Sequence, residues 1–391
     1  MTTHPACPLV PDPPLPLLIT GVAGVAGFSA FHYFRRKYHG QVIGIRRTDN
    51  WPLQREGIVA CDCDDRDSLA RLFDRHQFAA VLNAEGTCKL KSCELDPAMA
   101  QRINIESVRT LLDVIGDSTT RLVHLSIDLV YSGTRGGGHV EEDPTDPVTI
   151  YGQTMAEAER MLLGSDTTCH SQQPEADSFR EQDGSASTGE SAEASLPPAV
   201  AKGAIGATVL RISLPMGVSF NGHAGAIDWI QHRFKKHKPA TLYFDEIRTP
   251  TYTDCLNPLL ATVLARRDLR GLFHSGGPRR LSLYQIAQIV NRVGGYDPRL
   301  LHGCPRIDAG PLPPRAGDVS MNSGKLAATL GYDPFDPWPL ADEHVPTHRE
   351  WHFEGPRGSP ELLAEVLYRN PRRQSEKAPR TNHQMTNKLE I

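Results

Sequence analysis

The sequence predicts an α/β protein: a doubly wound parallel sheet followed by a smaller α/β lobe on its C-terminal side. Three observations predict it. Short apolar runs alternate with stretches of helical spacing through residue 163. Those runs are apolar at nearly every position instead of every second one, as strands covered on both faces are. The first run ends in a glycine-punctuated turn, "TGVAGVAG" at 20–27, that leads straight into the first helix.

In chain order, "LPLLIT" reads as the first strand and "FSAFHYFRRKY" as a helix with basic residues at its C-terminal end, where they complement the helix dipole. "QVIGIRR" is a second strand, "DSLARLFDRH" a helix, "FAAVLNA" a third strand, "AMAQRINIESVRTLLDVIG" one long helix and "RLVHLSIDLVY" a fourth strand. A helix from Tyr151 to about Leu163 follows, and "GATVLRISLPMG" resumes as a buried strand. Between them, residues 165–200 carry seven acids, one Arg and a single Phe/Tyr/Trp residue, too little apolar surface to offset the entropy of ordering. The domain plan is therefore a Pro-rich disordered lead (1–16), a Rossmann-type domain (17–164 and 203–245), a disordered acidic insertion (165–202), a second lobe (246–352, with parts of 213–245) and a partly disordered tail (353–391).

Composition excludes several functions. The 391 residues hold 42 Lys and Arg against 46 Asp and Glu, a formal charge of −4, so no basic stripe points to nucleic acid. No apolar run approaches the ~20 residues of a membrane helix, and the six-proline start lacks the basic region of a signal peptide. A cytoplasmic protein is expected. Eight cysteines are too few for a disulfide scaffold, and neither the Cys61/Cys63 nor the Cys88/Cys93 spacing suits zinc; no metal is expected.

Gly21, Gly24 and Gly27 allow a tight turn and close backbone approach, and the helix behind them offers free N–H groups to a pyrophosphate. The residue at the end of the second strand selects the dinucleotide. An acid there would hold a ribose 2′-hydroxyl, whereas this chain has Arg46 and Arg47, which suit a 2′-phosphate. NADP is expected over NAD.

"TGVAGVAG", "VLNAEGTCKLKSCELDP", "INIESVRTLL", "RLVHLSIDLVYSG", "EEDPTDPVTIYGQTMAEAE", "VLRISLPMG", "PTYTDCL" and "DVSMNSGKLAATLGY", in this order, resemble the extended short-chain dehydrogenases, and most closely the dTDP-4-dehydrorhamnose reductase family. The resemblance implies a reductase that moves a hydride from NADPH to a keto-sugar nucleotide, and it implies roles for particular residues. Gly21, Val22, Ala23, Gly24, Val25, Ala26, Gly27, Asp62, Asn83 and Ala84 would border the cofactor, with Arg46 and Arg47. Ser126, Asp128, Thr251, Tyr252 and Arg315 would face the sugar nucleotide. The family's catalytic trio is a Ser or Thr, a Tyr and a Lys; the matching positions here are Ile127, Tyr151 and Met155.

Residues four apart share a helix face, so the missing ammonium would have stood beside the phenol. With a thioether there, the Tyr151 hydroxyl is expected near its ordinary pKa of ~10. Positioned acid–base groups contribute on the order of 10² to 10⁴ each, so hydride transfer is expected to be weakened or lost. Where the family has a small residue after the third strand, this chain has Glu85, which would repel a pyrophosphate. Two other readings fit the same scaffold: a non-catalytic binding subunit serving an unknown protein partner, similar in kind to the β regulatory subunit of methionine adenosyltransferase, or a nucleotide-sugar epimerase or dehydratase. A homodimer suits any of the three.

Overall fold

The computed structural model describes residues 10–164, 206–223, 225–310 and 313–375. The expected acidic insertion, residues 1–9 of the lead and the last sixteen residues lie outside them. The chain alternates β1 (Leu17–Ile19), α1 (Val25–Lys37), β2 (Val42–Arg46), β3 (Ile58–Ala60), α2 (Arg66–His76) and β4 (Ala80–Asn83). Next come α3 (Leu90–Leu95), α4 (Pro97–Gln101), a π turn (Arg102–Glu106), α5 (Ser107–Ile115), β5 (Arg121–Ile127), α6 (Ile150–Leu163) and β6 (Thr208–Ile212). After β6 come β7 (Pro215–Met216), α7 (Ala226–Lys235), β8 (Ala240–Tyr243), β9 (Ile247–Arg248), β10 (Thr251–Tyr252), α8 (Thr253–Ala265), β11 (Gly271–Ser275) and α9 (Leu283–Val293), of which α8 and β11 return to the main sheet.

Seven strands form one parallel sheet in the order β3-β2-β1-β4-β5-β6-β11. The order reverses between β1 and β4, and ligands of such sheets sit outside the strand ends at that point. Alternation along β1 shows why both faces are covered. Leu17 and Ile19 pack with Phe31 and Phe34 of α1 and Leu256 and Leu260 of α8. Leu18 points the other way, to Leu69 and Leu72 of α2 and Val108 and Leu111 of α5. Each such side chain contributes roughly 1.5–3 kcal/mol on burial.

An ion cluster ties β6 to α6 across this core. Arg211 donates to Glu159 at 2.6, 2.9 and 3.1 Å and to the Tyr131 hydroxyl at 2.5 Å, with both ends of the pair nearly out of solvent. The Ser126 hydroxyl donates to the same Glu159 carboxylate. This corrects one expectation: Ser126 sits on the sheet face turned to α6 and serves the core.

Three further expectations change. The long helix of 98–116 is interrupted by the π turn at Arg102–Glu106, which swings Asn104 inward. The lead from Val10 and the tail to residue 375 are packed, not frayed: Val10, Leu15, Leu362 and Tyr368 lie on the core. The Trp338 indole donates to the Leu367 carbonyl at 2.9 Å, and the Tyr252 hydroxyl donates to that of Val366 at 2.6 Å. Apolar residues at 362–368 give this segment a face to bury, and only the residues beyond it match the composition of a tail.

The glycine turn is held by close backbone contact. Gly21 has φ +63, open to glycine at little strain, and a Cβ at Gly27 would stand 2.4 Å from the Gly21 carbonyl oxygen. Gly27→Ala is expected to lower stability by roughly 1–3 kcal/mol, the range for overpacking. An unchanged urea midpoint would show that the turn has room to shift.

Candidate functional site

The sheet's switch point brings the β1–α1 turn against the end of β4. The Thr20 hydroxyl donates to the Asn83 side chain at 2.5 Å and accepts from the backbone of Ala84 and Glu85, both at 3.1 Å. Asn83 donates onward to His124 at 2.9 Å. Asn83, expected at the cofactor, therefore belongs to the buried bracing of the strand ends. Val22, Val25 and Ala26 likewise turn their side chains into the core, so Gly21, Ala23 and Gly24 are what the turn presents. A Cβ on Gly24 would meet only the Gly21 oxygen, at 3.5 Å, and the first turn of α1 carries no acid or side-chain cap. Sterically this is an open phosphate cradle.

Glu85 follows directly at the end of β4: the residue is 8% exposed, and Arg47 stands 4.0 Å from its carboxyl. Burial pushes the Glu85 carboxyl up to about 7; Arg47 opposes the rise while Asp62 and Asp64 add to it. While ionised, that carboxylate repels any further anion brought close to it.

A consequence for stability follows. Glu85 has an ordinary carboxyl pKa of 4.5 and a folded value of about 7, so its contribution is fully present below the unfolded value and lost as pH rises through the folded one. The difference amounts to on the order of 3 kcal/mol. Glu85→Gln is expected to stabilise the protein by about that much at pH ~8 and to have little effect near pH ~4; equal melting shifts at both pH values would contradict the burial account.

Neither arginine at the end of β2 is a free guanidinium. Arg46 donates to the carbonyls of Leu53 at 2.7 Å and Arg47 at 2.8 Å, pinning its own loop. Arg47 bonds Asp64 at 3.0 Å and lies 3.8 Å from Asp62. Asp62 in turn accepts from the Thr48 backbone and hydroxyl, both at 2.8 Å. A 2′-phosphate would have to draw Arg47 away from these carboxylates, a competition the sequence did not reveal.

Tyr151 opens α6, whose N-cap Thr149 accepts from the Gly152 N–H at 3.0 Å. Gly152 lets the helix sit directly on Leu129, since a Cβ there would stand 2.2 Å from the Leu129 carbonyl oxygen. Tyr151 and Met155 are buried in one cluster with Cys93, Ala100, Leu129 and Val130, and Ile127 packs against it. The expected pKa of ~10 for Tyr151 is thereby corrected. Burial pushes its phenol well above the ordinary value, and the nearby Cys88, Asp128 and Cys93 raise it further while Arg248 opposes them. No ammonium stands at position 155 to reverse that. Such a phenol is a poor proton donor to a nascent alkoxide.

Sequence reasoning missed Asn104. The π turn aims its side chain at the site, where it accepts from Thr87 N–H at 2.8 Å and donates to Thr154 at 2.9 Å. The only signal was a polar residue inside an apolar helix.

On the substrate side, a second buried ion cluster links the lobes. Arg248 of β9 bonds Asp128 at 2.6 Å and Glu246 at 2.8 Å, each residue at most 4% exposed. Ser213 also donates to Asp128 at 2.6 Å. Asp128 was expected to face a sugar; it is consumed by this cluster. Arg315 stands 3.8 Å from Glu246 and stacks over the Tyr243 ring, leaving it the most accessible of the expected sugar contacts. Thr251 and Tyr252 are fully buried. Tyr252 anchors the C-terminal segment instead of lining a cleft, because β10 pairs in register with β7 beneath the surface.

Two surface cavities lie in the second lobe, away from the glycine turn. One of about 460 Å³ borders Arg279, Asp333 and Arg372; one of about 270 Å³ borders Phe244, Tyr284, Gln288 and Arg349. Among the described residues no three His, Cys, Asp or Glu side chains converge on a metal position, and no helix is long and apolar enough to cross a membrane.

Residues 15–170 match the family profile described as "RmlD substrate binding domain". The chain is 24% identical to a dTDP-4-keto-6-deoxy-D-glucose reductase of Streptomyces niveus over 77% of its own length and 90% of that protein. It is 31% identical to a dTDP-4-dehydrorhamnose reductase of Streptomyces griseus over 26% of its length and 34% of that protein. The fold superposes on a Bacillus anthracis dTDP-4-dehydrorhamnose reductase in complex with NADP with TM-score 0.63 and 14% identity, covering 82% of this chain and 95% of that one. It superposes also on a Thermus thermophilus UDP-glucose 4-epimerase in complex with NAD with TM-score 0.61 and 19% identity, covering 81% and 93%. With its glycine turn and its Tyr151 helix, the chain is similar, most clearly over residues 15–170, to the RmlD-like, dTDP-4-dehydrorhamnose reductase family of extended short-chain dehydrogenases/reductases.

Proposed function

We propose that this chain is an NAD(P)-binding protein of nucleotide-sugar metabolism, of the dTDP-4-dehydrorhamnose reductase type, in which hydride transfer to a 4-keto sugar is weakened or lost. One observation carries the reading: the three positions of the catalytic trio, Ile127, Tyr151 and Met155, meet in a single apolar cluster. Such a cluster supplies no second hydroxyl to the substrate carbonyl and no cation to the phenol. When bound, a nicotinamide cofactor would supply the hydride. The chain's own part would be the cradle of Gly21, Ala23 and Gly24, with Arg47 as the cation nearest a 2′-phosphate, which favours NADP over NAD.

A non-catalytic role for the same scaffold, with a protein partner in place of a reaction, is the second reading, and the buried carboxyl of Glu85 at the end of the strand beside the glycine turn favours it. Titrating the purified chain with NADPH and NADH, with and without dTDP, separates the two. Tighter binding of NADPH than of NADH, strengthened by dTDP, supports the reductase-type reading. Absence of binding by either nucleotide at any pH between ~5.5 and ~8.5, the span across which such a buried carboxyl would change charge, leaves only the partner-binding one.

A further inference from the structure

The guanidinium nearest a 2′-phosphate has an acid beside each of its nitrogens. Arg47 Nη1 donates to Asp64 at 3.0 Å and lies 4.0 Å from Glu85, Nη2 lies 3.8 Å from Asp62, and Nε lies 3.9 Å from Asp49. These acids are not equal competitors. Asp49 is 80% exposed, so water screens it. Asp62 spends its carboxylate on the Thr48 backbone and hydroxyl, and Glu85 stands beyond hydrogen-bond reach. Among the described residues, Asp64 is the acid that makes a hydrogen-bonded ion pair with Arg47, and the two side chains are only 15% and 18% exposed.

Asp64 is also fixed from behind. Its second oxygen lies 3.5 Å from Nε of Arg102, the first residue of the π turn. Its backbone runs through a tight turn, with the Asp65 N–H donating to the Asp62 carbonyl at 3.0 Å. Asp65 then caps α2, accepting from the Ser68 N–H at 3.1 Å. A carboxylate held by a second cation and by a capped helix start stays in place when a phosphate arrives. Arg46 offers no substitute, because its guanidinium is spent on the carbonyls of its own loop.

We infer that Asp64 sets the choice between the two dinucleotides: by holding Arg47 it withholds the guanidinium from a 2′-phosphate and so narrows the preference for NADP over NAD. The inference rests on the dinucleotide reading proposed above and names the residue that governs its selectivity. The adenosine ribose at the end of β2 carries an anionic phosphate in NADP and a neutral hydroxyl in NAD. With Asp64 ionised, the phosphate meets a cation whose Nη1 is already engaged, and a fixed carboxylate beside it. An amide at position 64 keeps the volume, removes the charge and leaves Arg47 able to pair with the phosphate in the bidentate manner of a guanidinium. The hydroxyl of NAD gains nothing from that exchange, so the effect is read in the ratio of the two affinities.

The test uses the full chain. Wild type, Asp64→Asn, Asp64→Ser, Asp49→Asn, Arg47→Ala and the double variant Arg47→Ala with Asp64→Asn are titrated with NADP⁺ and with NAD⁺ by calorimetry at one pH and one salt concentration. Both substitutions of Asp64 are expected to shift the ratio of dissociation constants toward NADP⁺ by at least about 10-fold, the scale of one hydrogen bond to a charged group. Asp49→Asn, which removes the same unit charge from an exposed site, should shift it by less than about 2-fold. In the double variant the gain should vanish, leaving the ratio of Arg47→Ala alone, because Asp64 acts through Arg47. A ratio that the Asp64 variants leave within about 2-fold of wild type overturns the inference while the dinucleotide reading stands. A gain that persists without Arg47, or that Asp49→Asn matches, overturns it as well, since the cause would then be overall charge. Absence of binding by either nucleotide to any of the six proteins removes the dinucleotide reading and the inference together.

Discussion

Arg248→Ala is expected to lower the stability of the folded chain by about 3–5 kcal/mol at neutral pH, the range seen when one member of a buried ion cluster is removed. The reason is local. Arg248 is the cation between Asp128, which follows the last residue of β5, and Glu246 in the second lobe, and its removal strands two carboxylates that are almost wholly out of solvent. Burial already raises the Asp128 pKa, with Arg248 and the Ser213 hydroxyl opposing it. Without the guanidinium that rise is larger. A carboxyl with a raised folded pKa regains its lost stability as pH falls toward its unfolded value, so the deficit of the variant should shrink between pH ~7 and pH ~5. Urea unfolding at the two pH values checks both the size and the trend. A loss below about 1 kcal/mol, the level of exposed pairs, would mean that water reaches the cluster and that the lobes are not locked there.

The second large effect concerns chemistry. Met155→Lys combined with Ile127→Thr is expected to raise NADPH-dependent reduction of dTDP-4-dehydrorhamnose by roughly 10² or more, since positioned acid–base groups contribute about 10² to 10⁴ each. Position 155 lies one helical turn after Tyr151, and its sulfur is 3.9 Å from where a Gly86 Cβ would be, so the side chain abuts the backbone just past the end of β4. An ammonium there would draw the Tyr151 pKa down from its raised value, and the pH profile of turnover should move with it. The same ammonium enters a pocket that buries Met155 to 2% exposure. Part of the lysine population will therefore be neutral, and the double change is needed so that the threonine hydroxyl can share the work. Met155→Leu, which restores no charge, should leave turnover where it was. A double variant that binds NADPH and still fails to turn over would show that the trio is not what limits the reaction.

The sheet was legible because its signal is local. Runs 17–19 and 80–82 are apolar along their length, 121–127 keeps apolar residues on both faces, and each is followed by helical spacing. What escaped was either short or remote. Strand β3 is three residues long with two of them exposed, so neither length nor pattern marked it. The π turn at Asn104 keeps helical spacing on both sides and leaves no trace except one polar residue. At the site, the glycines and Tyr151 could be found from neighbours in sequence, but partner choice could not. Ser126 is claimed by Glu159, Asn83 by His124, and Asp128 by Arg248, 33, 41 and 120 residues away respectively. A polar residue at a strand end reads the same whether it faces a ligand or braces a core. Only the fold decides which, and here it turned Ser126, Asn83, Asp128 and Tyr252 to structure while leaving Glu85 and Arg47 in the crevice.

The measurement that bears most directly on the account is hydride transfer itself. The wild-type chain would be mixed with NADPH and dTDP-4-dehydrorhamnose at pH ~6, and loss of reduced nicotinamide followed by its absorbance. With its trio reduced to Tyr151 in an apolar cluster, the protein should bind NADPH and oxidise it at least about 100-fold more slowly than the ~10 s⁻¹ of a typical enzyme. Turnover at or above that ordinary rate would contradict the central claim, and would mean that a lone buried tyrosine, without its hydroxyl and lysine partners, is enough.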